Sequence, residues 1–310
     1  MGKATREAYG VTLVKVGATH PDIVVLDADL SKSTKTNEFQ KAYPDRFFDV
    51  GIAEQNLISV GAGLAAAGKK PFVSSFAMFA TGRAFEQVRN AVCYPKLNVK
   101  ICATHAGITV GEDGATHQSL EDIACMRVLP NMTVVVPADA KETEAVITWA
   151  ADYVGPAYVR LGRAGVDDTT PDGYVFTPGK SLQLRDGKDA TIIACGALVG
   201  SAIEAAEILA KEGIDVRVIN MASIKPIDKV AIAQAAKDTG AIVTAEEHNV
   251  IGGLGAAVAE VVTETTPVPM ERIGTQDTFG ESGTPKELLA KYGLSAEAIG
   301  QAVKKVIARK

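Results

Sequence analysis

The chain has little cysteine: Cys93, Cys102, Cys125 and Cys195 are all it carries in 310 residues, and no two are spaced as C-x-x-C. Each sits in an apolar or helical context, so reduced core residues are expected rather than a disulfide frame or a zinc site. No long run of Lys and Arg occurs and the formal net charge is −5. The electrostatic footprint of a nucleic-acid binder is therefore missing. Apolar runs are too short to span a bilayer, and the opening "MGKATREAYG" lacks the apolar centre of a signal peptide. These absences point to a cytoplasmic globular protein with no nucleic-acid or membrane partner. Sequence repeats and low-complexity tails are also absent.

What is present is ample apolar material. At 47% hydrophobic residues the chain can fill two cores, and its length suits about two domains. Short β-branched runs, "IVVLDADL", "FFDVG", "PFVSSF", "VKICATHAG", "MTVVVPAD" and "AYVRLGR", alternate with helical periodicity. That rhythm reads as a parallel sheet covered on both faces. It breaks in a stretch rich in Pro, Gly and Asp, then resumes with "DATIIACG", "DVRVINM" and "AIVTAEEH" between helices. The fold class is α/β, with two consecutive parallel-sheet domains expected at 1–165 and 189–310 and a linker at 166–188.

Glycine patterns mislead here. "GAGLAA" from Gly61 matches a dinucleotide fingerprint, yet it falls inside a helix about ten residues past the strand rather than at the strand-to-helix turn. Close helix packing explains it better. In the second half the strand after "CGALVG" ends in Asn220, where a nicotinamide site wants an acid.

Polar groups gather at the C-terminal ends of the first domain's strands, where open α/β sheets place ligands. Asp27 and Asp29 follow one strand, Glu54 the next, Ser74, Ser75 and Phe76 another, then Thr104 and His105, and finally Arg163. A glycine-framed loop adds Glu112, Asp113 and His117. Taken singly, each has an ordinary explanation. Glu54, in the first turn of a helix, can meet the helix dipole or cap a free N–H; Asp113 suits a turn, and His117 a pre-helix position. A metal site from His105, Asp113 and His117 lacks tight ligand spacing, and no metal ligand is assigned.

Across nearly its whole length the chain resembles the C-terminal half of transketolase. "TREAYG", "DADLSKST", "DVGIAEQN", "SSFAMF", "THAGITVGEDGATHQSLED" and "RVLPNMTVVVPAD" carry the resemblance in the first half, "IKPID" and "EEHNVIGGLGAAVAE" in the second. It implies a thiamine diphosphate pyrimidine-binding domain followed by the transketolase C-terminal domain. Glu54 then corresponds to the acid that hydrogen-bonds the pyrimidine ring and favours its imino tautomer, whose exocyclic nitrogen takes the thiazolium proton. Phe76 and Phe79 correspond to the aromatic pair on the pyrimidine, and Asp29 and Leu30 to a segment lining the cofactor. Arg6, Ser33, His105 and Arg163 match groups that bind a sugar phosphate. Asp113 and His117 match groups that meet sugar hydroxyls, and His117 matches one able to move protons during carbon–carbon cleavage.

The family binds the cofactor's diphosphate and Mg²⁺ at a Gly-Asp-Gly turn with a later Asn. Neither "RDGK", "PDGY" nor "EDGA" has the first glycine, and no Gly-Asp-Gly occurs. The resemblance thus implies one subunit of a split transketolase, active with an N-terminal partner that supplies the metal ligands, in a heterotetramer of the pentose phosphate pathway acting on sugar phosphates. Deoxyxylulose phosphate synthases, the beta subunits of 2-oxoacid dehydrogenases and a non-catalytic homologue remain the alternatives. Between Phe79 and Arg89 there is one residue more than transketolases commonly carry, including Gly82, which leaves the pocket near Thr81 open to revision.

Overall fold

A computed structural model describes residues 2–310. The six runs of the first half become β1 (Ile23–Asp27), β2 (Phe47–Asp49), β3 (Lys70–Ser74), β4 (Lys100–Ala103), β5 (Thr133–Val135) and β6 (Ala157–Arg160). They pair in parallel in the order β5-β6-β4-β3-β1-β2. β1, β4, β5 and β6 are buried at every position because helices cover both faces; hence their unbroken apolar sequences.

The second half contributes β7 (Leu182–Arg185), β8 (Ala190–Ala194), β9 (Val216–Asn220), β10 (Ser223–Lys225), β11 (Ile242–Asn249) and β12 (Met270–Thr275). Five of them form a sheet in the order β12-β11-β8-β9-β7, parallel except for β7 at the edge. β7 lies inside the stretch expected to be linker. It is partly exposed along its length and so carries no buried run to betray it. β10 leaves its own half and pairs antiparallel with β5, completing the first sheet as a seventh strand.

The two sheets share packing. One apolar cluster joins Leu57, Val73, Val88 and Ile101 of the first half to Ile219, Ile232, Leu254 and Val258 of the second. Gly61, in the helix Glu54–Ala66, presses on β3: a Cβ there would sit 2.7 Å from Val73 Cγ1, so the "GAGLAA" glycine serves packing. Asn220 answers its own sequence question, since its Nδ2 donates to both carboxylate oxygens of Glu142 across the domain contact at 2.9 Å.

Cys93, Cys102 and Cys195 are buried, Cys125 is half-buried, and all four are unbonded. Among the described residues no helix is long and apolar enough to cross a membrane.

Candidate functional site

The C-terminal ends of β1, β2, β3, β4 and β6 place the candidate residues along one edge of the first sheet. Glu54 opens its helix after the N-cap Ala53, and no backbone N–H among the described residues donates to its side chain. It is 2% exposed, and its partner is Arg83, whose Nη1 donates to Oε2 at 2.9 Å. Capping is therefore not what holds this acid here.

Beyond β3, Phe76 and Phe79 lie nearly parallel, 13° apart, with ring centroids separated by 6.1 Å. His105 stacks on Phe76 at 3.8 Å, and His117 meets Phe79 edge-on at 5.3 Å. Four aromatic rings from β3, β4 and the following loop thus form one wall. The helix after Phe76 is wound as a π-helix over Met78–Arg83, with the Ala84 N–H donating to the Phe79 carbonyl five residues back. A π-turn holds one residue more than an α-turn. Gly82 and Thr81 both lie in that wide turn, and Thr81 is buried with its hydroxyl bonded to the Ala77 carbonyl.

His105 is held at φ +56° in the left-handed region, a strained position for a non-glycine residue. Arg6 Nη1 donates to His105 Nε2 at 3.3 Å and to the Ser33 carbonyl at 2.9 Å. A guanidinium has no acceptor, so Nε2 is the bare nitrogen and Nδ1–H faces Thr104 Oγ1 at 2.8 Å. Burial, and after it the charges of Arg6 and Arg163, pushes the His105 pKa down to about 3. The ring is neutral. It orients Arg6 rather than acting as a cation itself.

Arg163 donates to Glu112 at 2.7 Å and to the Val110 carbonyl. Arg6, Arg163 and Lys35 all bear electrostatically on His105, which makes this corner cationic. Ser33 enters through its backbone, and Asp113 is exposed on the loop. Asp29, at φ +63°, and Leu30 form the turn into the short helix bearing Ser33; the Asp29 N–H donates to Asp49 and that of Leu30 to Asp27. Burial raises the Asp27 pKa to about 6, and the hydroxyls of Thr34 and Thr36 satisfy its other oxygen.

The second domain holds the loop between His105 and His117 in place. Glu247 accepts the Thr109 N–H, and Gly107 lies so close that a Cβ there would be 2.3 Å from the Glu247 carboxyl carbon. Arg160 links Asp122 to the Glu247 carbonyl. Burial favours a raised pKa for Asp122, but the Arg160 guanidinium overrides it and holds the carboxyl below its ordinary range. Sequence reading singled out neither Glu247 nor Arg83. The only signal near Arg83 was the additional residue beside it.

The sequence pattern of "Transketolase, pyrimidine binding domain" matches residues 1–167, and that of "Transketolase, C-terminal domain" matches residues 179–299. The chain belongs to the transketolase family, as the C-terminal section of a split enzyme. It is similar to a solved structure described as a split gene transketolase, inactive beta4 tetramer, with 58% identity, a TM-score of 0.93 and 99% of each chain covered. It is 43% identical to a 6-deoxy-6-sulfo-D-fructose transketolase subunit of Clostridium sp. (strain MSTE9), covering 98% of this chain and 95% of the relative. One of the subunits of the apulose-4-phosphate transketolase of Phocaeicola vulgatus is also 43% identical, over 96% of this chain and 95% of its own. Transketolase subunits thus share this architecture while their named sugars differ.

Proposed function

We propose that this section supplies the pyrimidine side of a thiamine diphosphate site and the sugar-binding wall beside it. With a partner subunit that holds the diphosphate and Mg²⁺, it transfers a two-carbon ketol unit from a ketose phosphate to an aldose phosphate. The observation that carries this reading is Glu54: a carboxylate 2% exposed, uncapped, and partnered by a side chain that is itself 47% exposed. A buried acid with one movable partner suits a ligand that offers a ring nitrogen, and the half-buried Phe79 beside it suits the ring's face. The residues fit the group.

Bound thiamine diphosphate supplies the nucleophilic carbon that takes up and passes on the ketol unit. Glu54 holds or shares a proton at the pyrimidine nitrogen. Phe76 and Phe79 orient the ring and exclude water from one side. His117, edge-on to Phe79, is placed to move a proton to and from a sugar hydroxyl, with Asp113 on the same loop as a hydroxyl partner. Arg6 and Arg163 bind the phosphate, with neutral His105 and the Ser33 carbonyl holding Arg6 in place. A sulfonate, as in the sugar named for the clostridial relative, offers the same oxygens.

The test is an assay of the chain with thiamine diphosphate, Mg²⁺ and a candidate diphosphate-domain subunit. Xylulose phosphate with ribose phosphate should yield new sugar phosphates. Turnover of pyruvate in place of the ketose phosphate would move the chain to the deoxyxylulose phosphate synthase or 2-oxoacid dehydrogenase reading, and full ketol transfer without a partner would refute the division of the site.

A further inference from the structure

We propose that Arg83 is an internal ligand of the pocket, engaging the two groups meant for the pyrimidine ring and leaving them only when that ring binds. The proposal rests on reading Glu54 and Phe79 as cofactor-facing. Arg83 Nη1 donates to Glu54 Oε2 at 2.9 Å while its guanidinium carbon lies 4.7 Å over the Phe79 ring. It has no other hydrogen-bond or ion-pair partner among the described residues. A planar group that donates to a buried carboxylate and stacks on an aromatic face makes the same two kinds of contact as an aminopyrimidine.

The guanidinium covers the Phe79 face and holds Glu54 Oε2, so a ring stacked on that face beside the carboxylate needs the space Arg83 fills, and the two compete. Without Arg83, Glu54 would be a buried charge without a partner, which is costly; with it, the free subunit is stable and the pocket self-satisfied. The side chain is 47% exposed, so it can leave toward solvent without unpacking the core. Arg83 sits at the end of the π-turn Met78–Arg83. That turn sets where the residue four positions after Phe79 projects, and π-turns often mark functional places in helices. The consequence is a tax on binding: only the fraction of molecules with Arg83 displaced accepts the ring, and apparent affinity falls by that fraction.

The experiment titrates the isolated chain with thiamine and with its free aminopyrimidine moiety, following binding by calorimetry and the Arg83 guanidinium Nη–H groups by nuclear magnetic resonance. Arg83→Met keeps bulk over Phe79 without the charge and should tighten binding of both probes about tenfold or more. Arg83→Lys keeps the charge without the planar fork and should fall between. In the wild-type chain, saturating probe should shift the Arg83 Nη–H resonances to a solvent-exposed signal. Should Arg83→Met destabilise the chain, the same probes should restore its melting temperature more than they raise that of wild type. Phe79→Ala separates the two readings. If it abolishes binding while Arg83→Met weakens binding or leaves it unchanged, the competition is refuted and the cofactor pocket stands. If binding is absent throughout, or indifferent to Phe79, the pocket reading itself fails and this proposal fails with it.

Discussion

The Glu247 carboxylate on the second domain accepts the backbone N–H of Thr109 on the first at 2.6 Å. This one bond crosses the domain contact into the loop that carries His105 and His117. Both partners are buried, so water cannot replace either. Burial raises the Glu247 pKa, opposed by the Arg160 charge and by Thr109.

Glu247→Ala should therefore loosen the loop rather than the chemistry. The expected result is loss of hydrogen-exchange protection at the Thr109 amide and a KM for the sugar phosphate raised about tenfold, as befits the loss of about 1.5 kcal/mol or more for a charged hydrogen bond. Glu247→Gln keeps an acceptor and should recover most of the loss. An unchanged KM alongside lost amide protection would separate the loop's order from substrate binding.

Glu54→Ala should abolish turnover in the assembled enzyme and leave the fold intact. The helix start tolerates Ala because Glu54 makes no capping bond there, and the lost partner, Arg83, is exposed enough to find water. Circular dichroism and a melting curve check the fold, and a reconstituted assay checks turnover. Near wild-type turnover would return Glu54 to a local structural role.

Arg163→Ala should raise KM for a phosphorylated donor by about 10- to 100-fold, the range for a hydrogen bond to a charged group, and change it little for a donor without phosphate. Glu112→Gln acts in the opposite sense, freeing Arg163 from its exposed partner, with a gain held within about fivefold. Equal losses on both donors after Arg163→Ala would mean that it acts on the loop through the Val110 carbonyl.

The pH dependence of stability carries a signature of His105. Its folded pKa is about 3, against an ordinary value of 6.5, so between those values the unfolded chain binds a proton that the folded one does not. The stabilisation is full above pH 6.5 and is lost as pH falls toward 3, on the order of a few kcal/mol in all. His105→Gln should flatten the unfolding midpoint over that window. An unaltered slope would show that the ring is protonated in the folded state after all.

The edge that holds the candidate residues was legible in sequence because parallel strands announce themselves. β1, β4, β5 and β6 are buried on both faces and must be apolar throughout, and the residues that follow such strands fall on one edge of the sheet. Glu54, Phe76, His105 and Arg163 could be placed there from their spacing alone. β7, β10 and β12 were not legible. β7 and β12 are partly exposed, and β10 has three residues and finds its partner in the other half of the chain.

The sequence by itself determined the alternation of strand and helix, the edge where the candidate residues gather and the absence of a Gly-Asp-Gly turn. Local composition and strand direction suffice for those. Tertiary structure alone decided that Glu54 pairs with Arg83, 29 positions away, that neutral His105 holds Arg6, and that Glu247 fastens the first domain's loop from the second. Each depends on which charges are brought together out of water. A hydrogen bond or ion pair has no periodicity to read, and its partners are chosen only when burial removes water as the alternative.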